Sequence, residues 1–201
     1  MRRIGLLGGS FNPAHPGHLH ISREALKRLR LDEVWWLVSP QNPLKRNTDL
    51  APYATRLEHA RTMATDPRIR VSNIEAKAGL YYTVDTLRYL SRGNRNVQFF
   101  WLMGADNLAQ FHRWKDWRTI ARMLPIIILD RAPYAYAALH ALAPNRLRHF
   151  RRHTARQFLK FNKRLPAWAY LPIPRHPLSG THLRKTLGKR AFLVHNKDSN
   201  H

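Results

Sequence analysis

The amino-acid sequence predicts an α/β fold, a parallel β-sheet covered by helices on both faces. Three observations carry this expectation. Over the first 130 residues short apolar runs alternate with segments of helical spacing. The runs are apolar at nearly every position, the mark of strands buried on both faces. Apolar residues make up 44% of the 201, with six Trp and eight Phe to fill a core, close to a globular average of about 45–50%. At that length one domain with an appendage is expected, not two separate cores.

Taken in order, Arg3–Leu7 reads as the first strand. Gly17–Leu29 follows with helical spacing through Leu19, Ala25, Leu26 and Leu29. Val34–Val38 is a compact apolar run bounded by acids and Pro40, hence a buried strand. Pro52–Ala64 is helical, with proline tolerated in the first turn. Ile69–Ser72 is a short strand, Thr83–Leu90 a helix and Val97–Met103 a strongly apolar strand. Trp114–Met123 predicts a helix and Ile126–Leu129 a strand. Beyond them, Asn145–Arg164 predicts one amphipathic helix. Leu147, Phe150, Phe158, Phe161 and Leu165 fall roughly on its apolar side, and eight basic residues between Arg146 and Arg164 fill the rest. Ala167–Leu171 reads as a late strand, and Leu178–Leu187 as a loop entering a helix, capped by Ser179 or Thr181.

Charge divides the chain near residue 130. The 35 Lys and Arg exceed the 12 Asp and Glu by 23. Residues 1–130 hold 20 basic and 11 acidic side chains, whereas 131–197 hold 15 basic and no acidic ones. The division expected is a single domain, 1–201, with 131–201 as its basic C-terminal portion. Such a field attracts polyanions: phosphorylated substrates, nucleic acid or anionic surfaces. Cysteine is absent, which excludes disulfides, thiol chemistry and Cys-ligated zinc. The apolar run at the N-terminus ends at Leu7, too short for a signal peptide. No stretch reaches the roughly 20 apolar residues of a membrane span. A soluble, cytoplasmic protein without a membrane partner is expected.

Two segments carry chemistry. Gly8-Gly9-Ser10-Phe11-Asn12-Pro13-Ala14-His15-Pro16-Gly17-His18 lies between a predicted strand and a predicted helix. Its glycines let the backbone turn closely around a ligand, and the helix N-terminus behind offers N–H groups and a positive dipole end. His15 and His18 beside that end suit phosphate oxygens, as hydrogen-bond donors or as cations. A bare Gly-Gly turn is equally a structural strand–helix turn; the whole string is far more specific. His15, His18 and His20 have only Glu24 as a nearby oxygen ligand, a poor set for zinc, so no dedicated protein metal site is expected. The second segment is Pro177-Leu178-Ser179-Gly180-Thr181-His182-Leu183-Arg184, with small hydroxyls at a helix start and an arginine one turn on. It forms a second anion cradle.

Together the two segments resemble the nucleotidyltransferase superfamily, with its HxGH motif after the first strand and a Ser/Thr–Arg motif near the C-terminus. Within it the sequence is similar to the bacterial nicotinate-nucleotide adenylyltransferases. Further matches are Pro40-Gln41-Asn42-Pro43-Leu44-Lys45, Tyr82-Thr83-Val84-Asp85-Thr86-Leu87, and Gly104-Ala105-Asp106-Asn107-Leu108 followed by Trp114. The likeness runs in order from about residue 4 to 188 and is weakest between 131 and 170. Gly180 stands where the family usually has a second Ser, and Lys115 where some relatives carry an aromatic.

The resemblance implies a Rossmann-like fold and adenylyl transfer from ATP to nicotinate mononucleotide, giving deamido-NAD and pyrophosphate. Mg²⁺ arrives on the ATP phosphates. Carried over by position, ATP falls to Gly8, Gly9, Ser10, Phe11, His15, His18, Gly104, Asp106, Ser179, Thr181 and Arg184. The mononucleotide falls to Ser10, Phe11, Lys45, Thr83, Trp114 and Lys115, and catalysis to His15, His18 and Arg184. Read without the resemblance, Lys45 is equally a solvated loop lysine, Asp106 and Thr83 helix caps, and Trp114 a core residue. The rival acceptors are nicotinamide mononucleotide and phosphopantetheine. The rival of another class is a basic nucleic-acid-binding protein, although no RNA-binding motif accompanies the charge. Under the enzyme reading, nucleic acid is a weak, non-specific partner only. The oligomeric state stays open, a homo-oligomer included.

Overall fold

A computed structural model describes residues 1–41, 50–130, 138–159 and 164–174. Among these residues seven strands form one sheet: β1 (Arg2–Gly9), β2 (Glu33–Val38), β3 (Ile69–Ser72), β4 (Val97–Met103), β5 (Ile126–Asp130), β6 (Arg151–Arg152) and β7 (Trp168–Pro172). Every pairing is parallel, in the order β3-β2-β1-β4-β5-β7-β6. The helices are α1 (Pro16–Leu29), α2 (Tyr53–Met63), α3 (Ile74–Lys77), α4 (Thr83–Gly93), α5 (Ala105–Gln110), α6 (Trp117–Met123), α7 (Leu142–Arg146) and α8 (Arg156–Leu159).

Successive side chains along each strand leave on opposite faces of the sheet, and the core divides accordingly. Val34, Trp36, Phe100, Leu102, Ile127 and Leu129 point to the face covered by α1, α2 and α8. Ile4, Leu6, Leu37, Trp101, Met103 and Ile128 point to the face covered by α4, α5, α6 and α7. The fully apolar runs are thus strands buried twice over. Strand order reverses between β1 and β4, so a crevice opens outside their carboxyl ends, where open α/β sheets bind ligands.

The long helix expected over Asn145–Arg164 is not formed. In its place stand α7, a 3₁₀ turn at Arg148–Phe150, the two-residue β6, and α8. The physical reason is charge: Arg148, Arg152 and Arg156 would stack four apart on one helical ridge with no carboxylate between them, and like charges at that spacing oppose a helix. The expected apolar stripe dissolves as well. Leu147 packs on one face of the sheet, Phe158 is buried on the other and Phe150 is exposed; Phe161 lies outside the described residues. The helix expected from Trp114 begins at Trp117, after a 3₁₀ turn over Phe111–Arg113.

Candidate active site

The site begins where β1 ends. Gly8 has no room for a side chain, because a Cβ there would lie 2.6 Å from the Trp101 indole. At Gly9 the nearest atoms a Cβ would meet among the described residues belong to Phe11, at an ordinary 3.6 Å. Packing therefore explains the first glycine and not the second, whose bare backbone leaves space over the loop. Phe11 follows at φ 45°, in the left-handed region a bulky residue seldom adopts. Such strain survives where surroundings over-determine it, commonly at functional sites. Here the ring is buried, stacked 5.2 Å from Trp36 and 4.7 Å from His18.

The two histidines cap α1 reciprocally. His15 is the N-cap, and its Nδ1 accepts from the Gly17 amide at 3.2 Å. His18, three residues on, accepts the His15 amide on its own Nδ1 at 3.2 Å. Two orphan donors of the helix end are satisfied, and the rings lie 3.9 Å apart. A nitrogen that accepts carries no proton, so each neutral imidazole holds its hydrogen on Nε2 and donates from there. The sequence left cation and donor equally open; the capping box favours the donor. His15 is buried and His18 half-buried. The turn is braced from behind: the Ser22 hydroxyl donates to the His18 carbonyl and accepts from the Trp36 indole, each at 2.8 Å.

Across the switch point, Gly104 caps α5 at the end of β4, and Asp106 sits exposed in its first turn. A Cβ on Gly104 would lie 2.5 Å from the Asp106 carboxylate, a contact that the exposed carboxylate relieves by turning aside. On the same face Trp114 packs edge-on against Trp101 and Phe111, at 5.9 and 5.4 Å. Thr83 opens α4, half-buried. Lys115 reaches that helix end, with Nζ 3.7 Å from Asp85 and 4.3 Å from the centre of the Tyr82 ring. The structure thus groups Thr83 and Lys115 about one helix start, and places Trp114 against the indole that touches Gly8. Lys45, Ser179, Thr181 and Arg184 lie outside the described residues.

Two residues escaped the sequence reading. Arg56 is 1% exposed in α2, although an arginine in a helix reads as a surface residue. Glu75 in α3 is buried and accepts from the Thr86 hydroxyl at 3.0 Å. Burial raises its pKa to about 7 although that hydrogen bond works in the other direction. Three residues before Thr86 is Thr83, so this contact fixes the start of α4 to α3. Among the described residues no cluster of three His, Asp or Glu side chains is arranged to hold a metal ion, and no helix is long and apolar enough to cross a membrane.

Comparison with known proteins places this arrangement in context. The cytidylyltransferase-like family profile matches residues 6–186. A probable nicotinate-nucleotide adenylyltransferase of Bradyrhizobium sp. (strain ORS 278) is 50% identical over 186 residues, 92% of this chain and 97% of that protein. One of the same name from Methylorubrum extorquens is 50% identical over 182 residues, 90% of this chain and 98% of that protein. The Plasmodium falciparum nicotinic acid mononucleotide adenylyltransferase complexed with NaAD superposes with a TM-score of 0.69, over 92% of this chain and 83% of that one. At 17% identity that likeness speaks for the fold. The chain belongs to the cytidylyltransferase-like family, and within it to the nicotinate-nucleotide adenylyltransferases.

Proposed function

We infer that the chain transfers the adenylyl group of MgATP to nicotinate mononucleotide, yielding deamido-NAD and pyrophosphate. The observation that carries the reading at the level of chemistry is the reciprocal cap of His15 and His18 beside Gly8 and Gly9, at the sheet's switch point. A phosphate oxygen of the mononucleotide attacks the α-phosphorus of ATP in line. The new P–O bond forms as the bond from the α-phosphorus to the α,β-bridging oxygen of ATP breaks, and that oxygen leaves with the electron pair as a terminal oxygen of pyrophosphate. The nucleophile is already an anion, so no general base and no covalent enzyme intermediate are required. The protein supplies position and charge stabilisation.

Each residue's part in this is our assignment. His15 and His18 donate from Nε2 to phosphate oxygens, and Gly9 admits the phosphates to backbone distance. Ser10 and Phe11 shape the crossing point of the two substrates. Gly104 and Asp106 face the adenosine, while Thr83, Trp114 and Lys115 frame the pyridine ring and its carboxylate. Lys45, Ser179, Thr181 and Arg184 complete the phosphate contacts. Mg²⁺ enters as part of MgATP, offsetting phosphate charge.

Substrate choice follows from the acid group. A site that donates to a carboxylate rejects the neutral amide, whose NH₂ presents a donor where an acceptor is needed. Pyrophosphate release with MgATP is measured with nicotinate mononucleotide, nicotinamide mononucleotide and phosphopantetheine offered separately. Strong preference for the first is expected. Equal kcat/KM for acid and amide would refute the assignment of the pyridine pocket.

A further inference from the structure

We propose that Arg56 is a positioning residue for this reaction, shaping the β1–α1 phosphate cradle and holding positive charge behind it. The inference rests on the adenylyl-transfer reading above. The Arg56 guanidinium donates four hydrogen bonds, all to backbone carbonyls. Nη1 donates to Ser10 at 2.6 Å and Ser39 at 2.8 Å, Nη2 to Pro40 at 2.9 Å, and Nε to Ala51 at 2.9 Å. These carbonyls belong to the cradle itself, to the chain leaving β2, and to the approach to α2. The Tyr53 ring lies alongside, its centre 5.4 Å from Cζ. One rigid planar fork can join four acceptors in this way; a lysine ammonium on a flexible stem cannot.

Two features point from this cluster to catalysis. The first is location. Ser10 stands between Gly9 and the strained Phe11, so the fork fixes the carbonyl on which the turn hinges. Pro40 and Ala51 lie on either side of Lys45 in the sequence, so the same fork holds the described chain before and after it. Asn12 adds a second tie, its Oδ1 accepting from the Ala51 amide at 3.1 Å. The second feature is charge. Buried cations are ordinarily paired with an anion, yet among the described residues no carboxylate pairs with Arg56. Burial draws its pKa downward, but a guanidinium starts high enough to stay charged. Carbonyl dipoles offset part of the desolvation. The remaining positive charge sits one carbonyl away from the loop that receives anionic phosphates.

The test compares Arg56→Lys, which keeps the charge and loses the fork, with Arg56→Met, which loses both. Folded fraction is read from melting, kcat and KM for MgATP are taken per folded molecule, and a non-hydrolysable ATP analogue gives Kd. Misplacement of reacting groups by about 1 Å costs up to a hundredfold. Arg56→Lys is therefore expected to lose about tenfold or more in kcat with KM for MgATP nearly unchanged, and Arg56→Met to lose more and bind the analogue about tenfold less tightly. A folded Arg56→Lys with wild-type kcat overturns the proposal. If Arg56→Met does not fold, Arg56→Lys decides. If neither folds, Arg56 serves folding alone and the proposal fails. Should the wild type not use nicotinate mononucleotide, the acceptor reading fails, while analogue binding still reports on Arg56.

Discussion

The cradle at residues 8–18 and the arginine-rich stretch at 146–156 both invite anions, and they do so by opposite means. In the cradle the groups are dipoles, not charges, and each is fixed: two imidazoles by reciprocal caps, Phe11 by stacking, Ser10 by a buried guanidinium. In the stretch five arginines have no carboxylate partner among the described residues, and Arg146, Arg148 and Arg156 are exposed. Arg151 is placed by a ring, its guanidinium 5.3 Å above Trp168. Among the described residues, the arginine and lysine ion pairs lie within residues 2–116. A fixed dipole of known direction can stabilise a transition state, because it needs no reorganisation as the charge develops. Mobile exposed charge raises the local concentration of anions and is screened by salt. We therefore assign catalysis to the first region and long-range attraction to the second, as a proposal that the following experiments can break.

The sharpest way to break this contrast is His18→Ala. The variant should fold, losing about 1 kcal/mol with the cap, and should lose on the order of a hundredfold or more in kcat with the donor. Near-normal turnover in the folded variant would remove His18 from the chemistry.

The two glycines separate packing from ligand. Gly8→Ala drives a methyl into the Trp101 indole, and such overpacking costs about 1–3 kcal/mol; its melting temperature should fall. Gly9→Ala meets only ordinary van der Waals contact among the described residues, so its melting temperature should hold while kcat/KM for MgATP drops about tenfold, the methyl standing where a phosphate approaches. Equal behaviour of the two variants in melting and in kinetics would erase the distinction.

Glu75 yields a smaller and pH-dependent effect. Its folded carboxyl titrates near 7 against an ordinary 4.5. Between those values the native state keeps a proton that the unfolded chain has released, so stability falls as pH rises through that window. The loss amounts to at most about 3 kcal/mol. Glu75→Gln keeps a partner for Thr86 and carries no charge. Denaturant unfolding at pH 5 and pH 8 should show the Glu75 contribution to the slope gone in the variant, with the gain in stability at pH 8. An unaltered slope would count against a buried, proton-linked carboxyl.

Much of this was legible in the sequence, and the limits are physical. Buried parallel strands announce themselves through runs such as Val97–Met103, and the cradle through a string in which each residue type is constrained. The reciprocal cap was not legible, because histidines three apart at a helix start read equally as a surface pair. Arg56 was hidden by helical convention: nothing in its neighbours marks an arginine whose partners are carbonyls of residues 10, 39, 40 and 51. The failure over Asn145–Arg164 has a different source. The apolar spacing is real, but it sums contacts to two faces of one sheet, and repulsion among the arginines opposes the single helix it suggests.

The division of labour between cradle and arginine stretch is tested most directly by salt, on the unaltered protein. Pyrophosphate release at saturating MgATP and nicotinate mononucleotide is followed from about 50 to about 200 mM salt, beside association with RNA over the same range. The account predicts kcat constant within about twofold, while association with RNA, resting on counterion release, falls steeply and log-linearly. A kcat that falls in parallel with RNA association would put the exposed arginines inside the catalytic site and contradict the account.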